Sequence, residues 1–239
     1  KVGNPWDEEH FVKSFKDPSY KKVIIDYKMA IEEGRLTPEY VEEMRKQPFF
    51  DVLYECNFPK SGVIDEKGWI PLLSREEVEK AFIKEAKGFG INKLGADVAG
   101  GGRNKSVVVQ RRTNLAEIIH RTNDPDTMNL AEFVINKRSS EGIYPADINV
   151  DMIGLGKGVY DILNREKTTS GIHGINAGLE PYTEEGKTMF INLRAQMFWE
   201  LRKWILAGGK LLEDEAWYQL SKIKYRQKLE GRKAKMQIM

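Results

Sequence analysis

Short apolar runs separated by glycine and polar turns dominate the middle of the chain, and this pattern is typical of β-strands. The first three runs follow one another closely and predict antiparallel strands at Lys93–Val98, Ser106–Arg111 and Leu115–Arg121. Two later runs, at Ile148–Asp151 and Gly171–Asn176, predict a fourth and a fifth strand. A helical segment precedes each of these later strands, so the chain returns to the sheet through helical crossovers.

Other segments carry their apolar residues at the three- and four-residue spacing of an amphipathic helix. This spacing predicts helices at Asn129–Lys137, Lys157–Arg165, Thr188–Ala207 and Asp214–Ser221. A last strand is predicted at Lys233–Ile238.

The first 86 residues have shorter elements and longer connections than the rest of the chain. Lys22–Tyr27 is rich in β-branched residues and predicts a short strand, whereas Thr37 before Pro38 predicts the start of a helix. Ser74 and Glu77 predict a capping box at the start of another helix. We therefore expect residues 1–86 to be a mostly helical linker or hinge segment, and residues 87–239 to be the main domain.

The order of hairpin, strand, helix, strand, helix and strand predicts an α/β domain with a mixed sheet flanked by helices. With the strands numbered along the chain from Lys93, the expected strand order is 3-2-1-4-5, which resembles the ribonuclease H-like arrangement. In that arrangement the first and fourth strands are parallel neighbours. Their carboxyl ends then lie about 4.8 Å apart.

One aspartate stands at the carboxyl end of each of these two strands, and glycines follow both. Asp97 ends the first strand and Asp151 ends the fourth. A lone aspartate in such a place is also a common turn former or helix cap. The pair instead favours a site for two Mg²⁺ or Mn²⁺ ions, with Asp97 as the bridging ligand and Asp151 as a ligand of one ion. Such a site predicts phosphodiester hydrolysis.

The composition of the chain limits which kinds of metal site and which kinds of partner are expected. The single cysteine, Cys56, excludes an intramolecular disulfide, and one cysteine with three histidines suits a structural zinc site poorly. A hard metal held by oxygen ligands is therefore expected. No run approaches the roughly 18 apolar residues of a membrane span, so we expect no membrane partner.

Basic residues are unevenly placed, although the net charge of the chain is only +2. Arg103 and Lys105, in the loop beside Asp97, are the first candidates for contacts with DNA phosphates, and Lys157 near a helix N-terminus is another. A second group of candidates is Arg194, Lys222, Lys224 and Arg226. The alternative for such a cluster is an ordinary solvated surface.

No nucleotide-binding motif accompanies these residues. Gly186-Lys187-Thr188 resembles the end of a phosphate-binding loop, but Pro181 occupies the position of the required first glycine. We therefore expect no ATP site in this chain.

Several segments together resemble the nuclease domain of phage large terminase subunits. They are GADVAGGGRNKSVVVQRR, VDMIGLGKGVYDIL, GINAG, FINLRAQMFWELRKWILAGGKL and LSKIKY, and the resemblance covers about residues 90–239. An early GNP and the segment GRLTPEYVEEMRKQ are similar to the chain that leaves the terminase ATPase domain.

This resemblance implies a ribonuclease H-like endonuclease that cuts concatemeric double-stranded viral DNA in the host cytoplasm, with Asp97 and Asp151 as metal ligands. The small terminase subunit and the portal would be partners of the parent protein, which would also be the packaging ATPase. The family's third acid is implied beyond Met239, so we expect the C-terminal end to be truncated. Two other interpretations stay open. The chain could be a resolvase- or transposase-like nuclease, or a catalytically silent module that binds DNA or the portal.

Overall fold

The computed structural model describes residues 13–45, 50–57, 69–87, 90–230 and 233–239. Contacts between Cα atoms divide the chain into two compact units. One unit comprises Leu73–Glu180 and Asn192–Lys222, and the other comprises Lys1–Leu72, Pro181–Ile191 and Ile223–Met239. The expectation that residues 1–86 derive from an ATPase domain stays a prediction. No described helix is long and apolar enough to span a membrane.

A six-stranded mixed sheet forms the centre of the first unit. Its strands are β2 (Asn92–Asp97), β3 (Ser106–Arg112), β4 (Leu115–Thr122), β5 (Ile148–Asp151), β6 (His173–Ile175) and β7 (Lys210–Leu211), in the spatial order β6-β5-β2-β3-β4-β7. The antiparallel pairs are β2–β3 and β3–β4, whereas β5 pairs parallel with β2 and β6 pairs parallel with β5. The predicted strand order is confirmed, and β7 adds a sixth strand parallel to β4 that was not predicted.

Helices α5 (Arg75–Phe82), α6 (Thr127–Glu141), α7 (Gly156–Arg165) and α9 (Leu193–Leu206) belong to the same unit. The Asp126 side chain accepts a hydrogen bond from the backbone N–H of Met128 at the start of α6, and Gly142 ends this helix with φ +62°. The predicted Ser74–Glu77 capping box begins α5. One buried core is shared by the central strands with α6 and α7, and includes Leu94, Val108, Leu130, Val134, Ile148, Val150, Val159 and Leu163.

The second unit is built from short elements. Its helices are α1 (Lys13–Lys16), α2 (Tyr27–Glu32), α3 (Pro38–Met44), α4 (Phe50–Leu53) and α8 (Glu184–Met189). Its three-stranded sheet has the order β1-β8-β9, with β1 at Ile70–Pro71, β8 at Lys224–Glu230 and β9 at Lys233–Ile238. Both pairings in this sheet are antiparallel.

Three predicted elements differ from the structure. The predicted strand at Lys22–Tyr27 is wrong, because the Asp26 side chain instead caps α2 and the preceding apolar side chains, such as Ile24, stay exposed, with no partner strand among the described residues. The helix at Thr188–Ala207 is two helices, since Phe190 is extended and bridges to Met236. The last predicted helix is a 3-10 helix at Glu215–Lys222.

Candidate active site

Asp97 and Asp151 lie side by side at the carboxyl ends of two parallel strands. The register of β2 and β5 pairs Leu94 with Ile148 and Ala96 with Val150, so its continuation by one residue brings Asp97 opposite Asp151. Parallel neighbours are about 4.8 Å apart between their backbones. Two carboxylates at this spacing can reach one cation.

Backbone contacts fix the orientation of both strand ends. The backbone N–H of Ile153 donates to Asp151 Oδ1 at 3.0 Å, and the N–H of Met152 donates to the carbonyl of Ile175 at 2.8 Å. Gly156 begins α7 so close to the Asp151 carbonyl oxygen that any Cβ at residue 156 would overlap that oxygen. The turn after Asp151 therefore requires glycine at this place.

The loop after Asp97 is closed by a buried serine. The Ser106 hydroxyl accepts a hydrogen bond from the backbone N–H of Ala99 at 2.9 Å, and donates to the carbonyl of Ala99 at 3.1 Å. Gly100 packs against the Leu155 side chain, whose Cδ1 would have to shift to admit a Cβ at residue 100. The two glycine-containing loops therefore lie against each other beside the acids.

The Asp97 carboxylate is electrostatically unfavourable in this environment. Asp97 is exposed at the strand end, but partial desolvation of its carboxyl group raises the pKa of Asp97, the negative charge of Asp151 raises it further, and a hydrogen bond from the Val98 backbone lowers it in part. Within the described part of the chain, neither aspartate forms an ion pair. This donor set fits a divalent cation such as Mg²⁺ or Mn²⁺, because hard cations take carboxylate ligands and a positive charge would offset the repulsion.

A third acidic ligand is not found alongside the pair. Among the described residues, no group of three or more histidine, cysteine, aspartate or glutamate side chains could hold a metal ion. Asp147, directly before β5, forms an ion pair with Lys93 at 2.9 Å instead.

Asp97 opens onto a cavity of about 930 Å³ with a cationic lining. The predicted DNA-contact residues Arg103, Lys105 and Lys222 all line it together with Asp97. Sequence reasoning missed Arg121, Glu215, Tyr218 and Gln219, which also line this cavity. No signal in the sequence indicated Arg121, because the β3–β4 register shifts between Val108 and Val109 and only this shift places Arg121 opposite Val107, the partner of Asp97.

The other predicted cations lie outside this cavity. Lys157 forms an ion pair with Asp161 at 3.1 Å on α7. The guanidinium of Arg194 lies over the Phe198 ring, 5.5 Å from its centroid, on α9. Lys224 and Arg226 belong to β8 in the second unit, where Arg226 Nε donates to Gln237 Oε1 at 3.0 Å. Their contact with DNA stays a prediction.

The strand order and the paired acids define a ribonuclease H-like fold with a candidate metal site at the carboxyl end of its central strands. Among solved structures, similar folds are found in the large terminase subunit of bacteriophage Sf6. A mutant of that subunit with calcium has a TM-score of 0.54 at 15% identity, over 71% of this chain and 88% of that chain. A mutant nuclease domain of the same subunit with manganese gives the same values.

The nuclease domain of the Sf6 subunit without a named ligand has a TM-score of 0.52, again at 15% identity over 71% of this chain and 88% of that chain. The resemblance to terminase nuclease domains expected from the sequence is thus confirmed at the level of the fold. No family model matches the chain, and no curated protein sequence matches it either.

Proposed function

We propose that this chain is a divalent-metal-dependent endonuclease that cleaves double-stranded DNA. The observation that carries the proposal is the pair of aspartates at the ends of β2 and β5, of which Asp97 lines a cavity together with Arg103, Lys105 and Lys222. A polyanion is the substrate class that such a lining attracts, and phosphodiester hydrolysis is the chemistry that paired carboxylates support.

Hydrolysis requires a water oxygen to bond to phosphorus while the bond from phosphorus to the leaving strand oxygen breaks. The attacking water releases a proton to solvent, and the leaving oxygen takes one up. Asp97 and Asp151 would hold Mg²⁺ or Mn²⁺, which supplies activation of the water and neutralisation of charge at phosphorus. Arg103 and Lys105 hold the phosphate beside Asp97 and orient it for attack.

The biological setting follows from the terminase resemblance. We propose that the chain is the nuclease part of a large terminase subunit, and that it cuts concatemeric viral DNA in the host cytoplasm during genome packaging. The calcium and manganese in the Sf6 structures support a role for divalent cations here. ATP hydrolysis, and contacts with the small terminase subunit and portal, would belong to the parent protein.

Cleavage of supercoiled plasmid with Mg²⁺ and with Mn²⁺ tests the proposal. The 239-residue chain should nick and linearise the plasmid, whereas Asp97→Asn and Asp151→Asn should lose at least about 100-fold in rate, because each loses a charged ligand. Asp51→Asn, an exposed carboxylate on α4, is the matched control and should cleave like the parent.

Other outcomes would redirect the assignment. DNA binding without any cleavage would favour the catalytically silent docking module. The absence of a third acid beside the pair, among the described residues, also supports that alternative. Preferential cleavage of four-way junctions over linear duplex would favour the interpretation as a resolvase-like nuclease. Equal activity of the parent and both aspartate variants would remove the metal site assigned to Asp97 and Asp151.

A further inference from the structure

Arg121 belongs to a row of side chains that crosses the sheet at the level of the acids. The β2–β3 register pairs Asp97 with Val107, and the β3–β4 register pairs Val107 with Arg121. Cross-strand partners point to the same face of a sheet, so Asp97 and Arg121 share one face. Two strand spacings separate their backbones by roughly 10 Å.

The residue before Arg121 in the sequence shows which face this is. His120 stacks on Phe133 of α6 with its ring centroid 4.1 Å away, so His120 points to the core side of the sheet. Side chains alternate along a strand, so Arg121 points to the other side, where it lines the cavity with Asp97.

Asp214 holds the Arg121 side chain at the edge of this cavity. Arg121 donates from its Nη2 to Asp214 Oδ1 at 2.7 Å, and the side chain is 34% exposed. The same Asp214 oxygen accepts a hydrogen bond from the backbone N–H of Ala216 at 2.8 Å, at the start of the 3-10 helix. A guanidinium has five N–H donors, and the bond to Asp214 uses one of them.

The 3-10 helix Glu215–Lys222 forms another wall of the cavity with its polar face. Glu215, Tyr218, Gln219 and Lys222 line the cavity, whereas Leu220 is buried on the other side of the helix. The Tyr218 ring is held in place by Phe82 and by the guanidinium of Arg75, 4.2 Å from the ring centroid. These contacts hold the wall against α5, and Asp214 at its start links it to Arg121.

The charges that line the cavity are unbalanced. Arg103, Lys105, Arg121 and Lys222 line the cavity with the acids Asp97 and Glu215, and Asp214 pairs with Arg121 from outside the lining, so among the described residues cations outnumber acids by four to three. Cations gathered in one concave surface repel one another, and a polyanion relieves that repulsion. Arg121 is the one among these four that the sheet register fixes at a set separation from Asp97.

We propose that Arg121 is a phosphate-binding residue of the DNA cleft, which holds the strand at a phosphate near the one that lies at Asp97. The inference rests on the proposed function of the site. Asp214 keeps the guanidinium in place, and the remaining donors of Arg121 bind the phosphate. Arginine suits this role because its planar fork donates two parallel hydrogen bonds to phosphate oxygens.

The salt dependence of DNA binding tests this proposal. The 239-residue chain and its variants are titrated onto a fluorescein-labelled duplex in EDTA at several KCl concentrations, so that no cleavage consumes the probe. Loss of one phosphate contact lowers the slope of log K against log salt by about 0.9. We expect Arg121→Gln to show this change and to bind about tenfold more weakly, and Arg121→Lys to keep the parent slope.

Two further variants separate phosphate binding from a purely structural role. Asp214→Asn removes the ion pair but leaves the guanidinium, so the parent slope should remain. If Arg121 only held Asp214, Arg121→Gln and Asp214→Asn would have the same slope as the parent. Arg165→Gln, an exposed arginine on α7, is the matched control and should also keep the parent slope.

The outcomes distinguish the two proposals. A parent chain that binds duplex with a steep salt dependence, together with an unchanged slope in Arg121→Gln, would overturn this inference and leave the proposed function standing. A parent chain that binds no duplex would overturn both. Circular dichroism melting of each variant confirms that it is folded, and Arg121→Lys preserves the charge in case Arg121→Gln does not fold.

Discussion

Replacement of Glu141 by glutamine should remove a pH-dependent part of the stability of the domain. Glu141, at the C-terminal end of α6, forms a hydrogen-bonded ion pair with Lys137. Its carboxylate also accepts hydrogen bonds from the side chains of Gln110, Arg112 and Asn92. The bond from Lys137 is the largest cause of a lowered pKa, which falls from 4.5 to about 2, and burial opposes it. The network ties α6 to the start of β2 and the end of β3.

The pKa of Glu141 sets both the size and the pH range of the effect. Since one pKa unit corresponds to about 1.36 kcal/mol, the fall from 4.5 to about 2 corresponds to at most about 3.4 kcal/mol. The side chain is 22% exposed, so solvent screening reduces this to roughly 2 kcal/mol. Because the pKa is lowered on folding, this stabilisation is present above pH 4.5 and is lost as the pH falls toward 2.

Urea unfolding of the parent and of Glu141→Gln at pH 7 and pH 3 measures this term. The free energy of unfolding of the parent should exceed that of the variant by about 2 kcal/mol at pH 7, and by less than about 1 kcal/mol at pH 3. Glu132→Gln, an exposed residue of the same helix, is the matched control and should show no difference at either pH. An equal gap between parent and Glu141→Gln at both pH values would refute the reasoning.

Two further predictions concern the acids. Gly156→Ala should abolish plasmid cleavage while the chain stays folded, because the new Cβ would displace the Asp151 carbonyl. Gly158→Ala is the control: the space around its Cβ is open, so this variant should cleave the plasmid normally. Mn²⁺ should raise the melting temperature of the parent but not that of Asp97→Asn. A ligand at 100 times its Kd increases the free energy of unfolding by about 2.7 kcal/mol. Equal shifts of the melting temperature in both chains would contradict a site at Asp97.

The sequence predicted what local pattern determines. The strands that carry Asp97 and Asp151 were recognised because apolar runs, glycine turns and helical crossovers specify the strand order without reference to distant contacts. The separate helices α8 and α9 were missed, since Phe190 is apolar at helical spacing, while its bridge to Met236 and the extended Asn192 that caps α9 interrupt the helix. A two-residue strand such as β7 has no periodicity to detect.

The candidate site was predicted in part for the same reason. Asp97, Arg103 and Lys105 are close in sequence, so one hairpin brings them together. Arg121 and Gln219 join them only through the register of three strands and the return of a 3-10 helix, which charge patterns along the chain do not reveal. Lys157 was chosen for its place near a helix N-terminus, but its side chain pairs with Asp161, four residues later on the same helix.

The two ends of β2 contact acids in opposite electrostatic states. At its start, Asn92 donates a hydrogen bond to Glu141 of α6, within the network that lowers the pKa of Glu141. At its end, desolvation and the charge of Asp151 raise the pKa of Asp97. Leu94 and Ala96 are buried between these ends and fix the register, so the backbones of Asp97 and Asp151 stay neighbours. A bound cation would offset the repulsion between the two carboxylates and leave the fold intact, which supports the proposed metal site.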